Sequence, residues 1–316
     1  MKVIRSLDTV GSSGQGTVVT IGNFDGVHLG HQAILRQVVF RAHELGLTPA
    51  VLTFDPHPAR VLSPAKAPLL INTVRQKLAR LELAGAETVL LLPFSKEFAA
   101  LTPEEFATRV LRDTLNARVV MTGEDFRFGR RQTGDITKMR ELGATLGFTV
   151  EAIGDIAAGP RAERISSTRI RGLILEGKVS RAGRLMGAPF TLEGSVVSGF
   201  GIGSKQTVPT LNLASENELL PGHGVYVTRA RGNGEGAFVP SITNVGMRPT
   251  FDGHAVTVET FLLGDGPAER PERLEVEFLA WVREERKFAS PEALRAQILR
   301  DVGCAQRFHR RFPARA

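Results

Sequence analysis

The 316 residues include one cysteine (Cys304), one tryptophan and one tyrosine. A single cysteine makes no intrachain disulfide and no cysteine-based zinc cluster, and it fits a reducing compartment. No run approaches the ~18 apolar residues that a membrane helix needs. The opening segment MKVIRSLDTVGSSG has no apolar h-region, so no signal peptide is expected. No membrane association is expected, and the cytoplasm is the default setting. There is no internal repeat and no low-complexity tract. Nor is there a block of basic residues, although the net charge of +7 favours anionic partners. The densest basic run is RFHRRF at 307–312, which reads as a solvated tail. Lysines and arginines do not cluster among aromatics in the second half, so no nucleic-acid partner is expected. A basic module that grips RNA is the alternative from a different class; it would copurify with salt-sensitive absorbance at 260 nm.

What the sequence does hold is a change of period. In the first half, apolar β-branched runs alternate with helical patterns. GTVVTIG (16–22), PAVLTF (49–54), TVLLLPF (88–94), ARVVMTG (117–123) and FTVEAI (148–153) read as strands. Between them, 31–46 places Ile34, Leu35, Val38, Val39, Ala42 and Leu45 on one helical face, with Gly46 as C-cap. Residues 74–85 and 103–115 read as further helices, the latter with Pro103 in its first turn. This alternation predicts a parallel sheet covered on both faces, with ligands beyond the carboxyl ends of its strands. From about residue 188 the runs FTLEGSVVSG, HGVYVTRARG, GAFVPSITNVG, HAVTVETFLL and RLEVEFLAWV follow one another with only turns between. They predict an antiparallel barrel or sandwich, closed by one helix beginning at SPEALRAQ. The boundary is placed at 186, giving domains 1–186 and 187–316.

The segment IGNFDGVHLGHQ (21–32) puts two histidines, His28 and His31, at the start of the first long helix. Unpaired N–H groups and the helix dipole favour an anion there. Gly22, Gly26 and Gly30 let the backbone approach a ligand closely. As imidazolium or as neutral donors, the histidines can stabilise phosphate charge. HLGH lacks the spacing and the glutamate of a zincin, so a zinc site is set aside. A second cradle follows at RISSTRIR, where Ser166, Ser167, Thr168, Arg169 and Arg171 stand at another helix start. Two cradles in one α/β domain suggest a nucleoside triphosphate held at two ends.

GNFDGVHLGH together with ISSTRIR is the paired signature of the HxGH-type nucleotidylyl transferases. With TFDPHP (53–58) and GEDFRFG (123–129), the first half resembles the adenylyltransferase module of bacterial bifunctional riboflavin kinase/FAD synthetases. The resemblance spans essentially the whole chain. It implies a doubly wound, Rossmann-like α/β domain followed by an antiparallel β-barrel kinase domain with a C-terminal helix. It also implies adenylyl transfer from ATP to FMN without a covalent enzyme intermediate. Carried over by motif, Gly22, Asn23, Phe24, Gly26, His28 and His31 would hold ATP, with Ser167, Thr168 and Arg171 on its far side. Phe54, Pro56, His57, Pro58, Asp125, Phe126 and Phe128 would form the flavin pocket. Phe126 and Phe128 sit in a charged loop between glycines, where stacking on the flavin is expected rather than core packing.

In the second half GFGIGSKQTVPTLNL (199–213) is neither a Walker A loop nor a dinucleotide fingerprint. Thr210 and Asn212 are two apart on an extended segment and share a face, which suits Mg²⁺ carried with nucleotide phosphates. In TVETFLL, Glu259 shares its face with Phe261 and Leu263 while Val258 and Thr260 take the other, so a buried strand is expected. These segments resemble the riboflavin kinase module: a glycine-rich flap, then PTxN, then a glutamate in a strand. The resemblance implies Gly201, Gly203, Lys205, Thr210 and Asn212 on ATP, Thr210 and Asn212 on Mg²⁺, and Glu259 as base. The flap departs from the bacterial pattern GRGRxLGFPTAN. Ile202 replaces the usual arginine, Thr207 and Val208 replace a glycine and its apolar neighbour, and Lys205 is assigned the missing charge. The expected substrates are riboflavin, FMN and ATP, and the expected state is a monomer or weak homo-oligomer. An enzyme with only the adenylyltransferase half working is the nearer alternative.

Overall fold

The computed structural model describes residues 1–7, 15–154, 165–197, 210–250, 253–264 and 269–312. It divides into two compact units, Met1–Ser166 and Ser167–Ala316.

The first unit contains β1 (Lys2–Ile4), β2 (Thr17–Ile21), α1 (Leu29–Leu45), β3 (Thr48–Phe54), α2 (Pro58–Leu62), α3 (Val74–Leu83) and β4 (Thr88–Leu92). These are followed by α4 (Lys96–Ala99), α5 (Pro103–Phe106), β5 (Ala117–Gly123), α6 (Ile136–Leu146) and β6 (Thr149–Ile153). The six strands run in the order β1-β4-β3-β2-β5-β6, every neighbouring pair parallel. Alternate residues of each strand enter different apolar layers. Val19, Ala50, Leu52, Leu90, Leu92 and Val120 pack with Phe106, Leu111 and Met139 on one face. Val51, Val89 and Leu91 pack with Leu35 and Leu81 on the other, and Val18 and Val119 with Val38 and Ala42 beside them. Both faces are therefore covered, and the strands read as continuous apolar runs for that reason. Leu35 is 1% exposed, and truncating such a side chain to alanine costs about 2–5 kcal/mol.

Gly46 ends α1 in the left-handed conformation, φ 64°, as its sequence position predicts. Thr102 and Glu105 form a capping box at the start of α5. The helix read over 103–115 is α5 only as far as Phe106; it continues as a wider π-helical segment over Ala107–Thr114. The short strand β1 has no alternation long enough to announce it.

The second unit opens with α7 (Ser167–Leu175) and α8 (Val179–Met186). Six strands follow: β7 (Phe190–Val197), β8 (Leu211–Ser215), β9 (Gly224–Gly232), β10 (Val239–Thr250), β11 (Gly253–Leu262) and β12 (Arg273–Arg283). They close a barrel in the order β10-β11-β8-β7-β12-β9. Its pairings are antiparallel. Part of the interior is polar: Thr228, Ser241, Thr243 and Thr260 are fully buried and bond hydroxyl to hydroxyl at 2.8–3.0 Å. Sharing partners in this way satisfies groups that would otherwise be costly to bury.

The last helix, α9 (Pro291–Arg311), lies on the outer face over Val225, Val227 and Ile242, with Phe261 and Leu263 against the same cluster. It corrects the reading of RFHRRF as a solvated tail. Phe308 packs into that cluster, and the His309 ring nitrogen Nε2 lies 2.9 Å from the Thr228 carbonyl. The run is the docked end of an amphipathic helix. Its arginines Arg310 and Arg311 stand in the last turn, where the helix dipole favours positive charge.

Candidate functional site

Three of the quoted segments follow three adjacent strands. β2 runs into GNFDGVHLGH, β3 into DPHP and β5 into EDFRFG, each at the carboxyl end. β2 lies between β3 and β5, where chain order along the sheet reverses. Loops diverge at such a switch point and leave a crevice for a ligand.

The loop after β2 is tightly determined. The Gly22 N–H donates to the Leu52 carbonyl at 3.1 Å, and the Thr53 hydroxyl to the Asn23 carbonyl at 3.1 Å. The Asp25 carboxylate, buried, accepts from the N–H groups of Ile71 (3.0 Å) and Asn72 (3.4 Å). Phe24 and Val27 are held at φ 48° and 38°. That region costs a non-glycine residue about 1–3 kcal/mol and is worst for a β-branched one. Burial of both side chains against Leu35 and Leu81 offsets it. Gly26, at φ 82°, takes the same region without strain.

His28 is the N-cap of α1; its Nδ1 accepts the His31 N–H at 3.3 Å. The ring proton of a neutral His28 is thereby placed on Nε2. The two imidazoles stack with centroids 3.7 Å apart and planes 11° from parallel. Glycine at position 30 has a local reason, because a Cβ there would stand 3.2 Å from the His28 ring. Burial lowers the His28 pKa to about 4. It holds His31 well below 6.5, with His28 and Lys77 adding to the effect. Of the two forms expected, the ligand-free site therefore holds neutral imidazoles that act as hydrogen-bond donors. His31 Nδ1 is buried with no partner among the described residues. The large majority of buried side-chain polar atoms find one, so this nitrogen points to a ligand.

The aromatic residues divide differently from the sequence reading. Phe128 is 6% exposed and belongs to the core. Its ring lies against Phe106, and its backbone bridges Gly134. The expectation that core packing was improbable there is corrected: a charged loop folds inward when one of its side chains can reach an apolar layer. Phe126 stacks on Phe128 with planes 10° apart and stays partly exposed. Phe54 meets Phe94 edge to face at 5.3 Å, and both touch Phe98. Phe98 in turn meets Phe106, so one aromatic row joins the ends of β3 and β5. His57 caps α2, its Nδ1 accepting from the Ala59 N–H at 3.2 Å, and the preceding Asp55–Pro56 bond is cis. Asp125 is exposed.

In the second unit, Ser167, Thr168 and Arg171 occupy the opening turns of α7. Arg171 Nη1 donates to the Thr168 hydroxyl at 3.4 Å, and Ile170, Leu173 and Ile174 anchor the opposite face. On the barrel, Asn212 of β8 stands directly opposite Glu259 of β11. Glu259 stands opposite Asn244 of β10, and Asn244 opposite Val225 of β9. Direct cross-strand partners share a face, so two amides flank one carboxylate. That face is the outer one, because Val258 and Thr260 point inward and are buried. Glu259 is only partly buried, less than the sequence suggested, and Thr210 is exposed just before β8. Gly201, Ile202, Gly203, Lys205, Thr207 and Val208 lie outside the described residues.

The FAD synthetase family profile matches residues 11–169, and the riboflavin kinase profile residues 186–309. The bifunctional riboflavin kinase/FMN adenylyltransferase of Escherichia coli (strain K12) is 34% identical over 309 residues, 98% of each chain. The protein of the same description from Pseudomonas fluorescens is 36% identical over 307 residues, 97% of each chain. This chain belongs to the bifunctional riboflavin kinase/FMN adenylyltransferase family. It is an enzyme that phosphorylates riboflavin to FMN and adenylylates FMN to FAD. A solved structure titled a macrolide-efflux protein from Streptococcus pneumoniae superposes at TM-score 0.84 with 29% identity. It covers 96% of this chain and 98% of its own. No helix among the described residues is long and apolar enough to cross a membrane.

For such an enzyme three features were missed in the sequence. Phe94 and Phe98 follow strand β4, which carries none of the quoted motifs. Asn244 sits in an ordinary strand pattern, and only the barrel register brings it to Glu259. Lys77, 4% exposed, reads as one more charge on an amphipathic helix. The signal available for it was its place on the apolar side of α3, four residues before Leu81.

Proposed function

We propose that the two reactions run on two separate sets of residues and that the Asn212–Glu259 register carries the assignment for the kinase. Two segments distant in sequence, recognised separately, become direct partners in one sheet. In the phosphorylation, Glu259 accepts the proton of the ribityl 5′-hydroxyl. The oxygen bonds to the γ-phosphorus of ATP as the bond to the β-bridging oxygen breaks, and ADP leaves. Thr210 and Asn212 offer hard oxygen donors beside that carboxylate, a set that fits Mg²⁺ shared with nucleotide phosphates. The ion would neutralise charge on the transferring phosphoryl group. Asn244 orients the Glu259 carboxylate from the other side. Gly201, Gly203 and Lys205 carry over to ATP from the family pattern.

For adenylylation, His28 and His31 donate to the ATP phosphates at the start of α1, with Gly22, Asn23, Phe24 and Gly26 shaping the loop. An FMN phosphate oxygen bonds to the α-phosphorus, and the bond to the bridging oxygen breaks to release pyrophosphate. Positioning and charge stabilisation supply the catalysis. Ser167, Thr168 and Arg171 carry over by motif to ATP binding in adenylylation. Phe54, Pro56, His57, Pro58, Asp125 and Phe126 carry over to the flavin, with Phe128 supporting Phe126 from the core. We assign the functional division to residues 186/187, the setting to the cytoplasm and the state to a monomer or weak homo-oligomer.

One chromatographic time course tests the assignment. The protein is incubated with riboflavin, ATP and Mg²⁺, and riboflavin, FMN and FAD are separated. FMN followed by FAD is the expected order, and chelation of Mg²⁺ should stop the first step. FAD from added FMN, with no product from riboflavin, would mean that the GIGSKQTV segment no longer supports kinase chemistry.

A further inference from the structure

A buried lysine occurs in the first unit without a role in the scheme above. Lys77 lies on α3 and is 4% exposed. Lysines are almost never buried to this degree unless a charge partner or a task holds them there. Its Nζ donates to the Phe54 carbonyl at 3.3 Å. Phe54 is the last residue of β3, immediately before the DPHP loop. The carboxylates of Asp25, in the loop after β2, and Asp55, in the loop after β3, both act on the ammonium, and the ammonium acts on His31. Asp25 is in turn fixed by the N–H groups of Ile71 and Asn72, which lead into the Thr73 cap of α3. The Thr73–Gln76 capping box and the Asn72 amide bond to Gln76 make that helix start rigid.

We propose that Lys77 is a positioning residue for adenylyl transfer, its buried ammonium setting the spacing between the histidine loop and the flavin loop. A single cation on a rigid helix bonds to a carbonyl at the base of one loop and feels the field of a carboxylate in each. Its hydrogen bond goes to the backbone at the base of the flavin loop, so it acts through the loops that carry the reactive groups. In a site that works by alignment, a displacement of about 1 Å costs about a hundredfold in rate. The inference rests on His28 and His31 forming the adenylyl site.

The test uses the full chain with Lys77→Met and Lys77→Arg, and reads kcat and KM for FAD formation from FMN and ATP. Riboflavin phosphorylation by the same preparation is the control for the second unit, and the far-ultraviolet circular dichroism of the chain, compared with the parent, is the control for folding of the first. Lys77→Met should lower kcat/KM for FAD formation about a hundredfold and raise the KM for FMN. Phosphorylation should stay within about twofold, and Lys77→Arg should recover much of the loss. FAD formation within about threefold of the parent in Lys77→Met would overturn the proposal. Should Lys77→Met fold poorly, Lys77→Met/Asp55→Asn removes one uncompensated carboxylate. Folded double variant with FAD formation still depressed supports positioning; recovered FAD formation overturns it and leaves charge balance as the role. His31→Ala separates the premises. If it leaves FAD formation intact, the site reading fails, whatever Lys77 does.

Discussion

The two units present their reactive groups in opposite ways. In the first, the histidines stand on a loop and a helix start, with strained backbone before them and burial holding them neutral. In the second, Asn212, Glu259 and Asn244 sit in mid-strand on the outside of a closed barrel, partly exposed, in ordinary extended backbone. The loop site owes its geometry to tertiary packing over Phe24, Asp25 and Val27, so a distant change such as Lys77→Met can reach it. The barrel site owes its geometry to register, which the whole ladder enforces. A side chain on such a ladder can be exchanged with little effect on its neighbours' backbone.

The largest expected effect is the loss of a general base. Glu259→Gln should lower riboflavin phosphorylation by about 10²–10⁴-fold. It should leave FAD formation from supplied FMN intact. His31→Ala is the mirror case: FAD formation should fall by about 10²–10³, as when one preorganised donor is removed. FMN formation should persist. Loss of both activities in either variant, with folding retained, would break the comparison.

A smaller effect is expected for Asn244→Ala, which removes one neighbour of Glu259. Phosphorylation should drop about tenfold, the worth of one hydrogen bond to a charged group. An unchanged kcat would leave Asn212 as the only amide that matters there.

The smallest effect is on stability rather than rate, and it belongs to the first unit alone. Folded His28 stays neutral down to about pH 4, while the unfolded residue takes up a proton below 6.5. Its contribution is therefore complete above pH 6.5 and is lost as pH falls towards 4, about 3 kcal/mol in all. Urea unfolding at pH 7 and 4.5, followed by far-ultraviolet circular dichroism, should show this loss. Fluorescence of Trp281 and Tyr226 reports the second unit, which holds the chain's one tryptophan and one tyrosine. His28→Gln should reduce the pH dependence by this share and leave that of the buried His31; an unaltered slope would remove His28 as a titrating group.

Most of the fold was legible because each element states its own period. The run VLTF and the helix over Leu35, Val38 and Ala42 need no partner to be recognised. The barrel strands announced themselves through turns at Gly and Asn. The π-helical segment after Phe106 was not legible, since a wider turn changes no residue type. Phe128 was misread because loop composition says nothing about which side chain lies over the core. RFHRRF was misread for the same reason in reverse: its basic residues are obvious, while the apolar stripe that docks Phe308 belongs to a longer helix.

The sequence by itself determined the two periodicities, the histidine pair, the PTLN segment and the strand glutamate, all of which depend on near neighbours along the chain. The tertiary structure alone decided that the loops after β3, β2 and β5 lie side by side. It also stacked the two imidazoles, buried Lys77 against the Phe54 carbonyl, and set Asn212 and Asn244 on either side of Glu259. Strand order and register fix those neighbours, and both are settled by the packing of whole sheets rather than by any local preference.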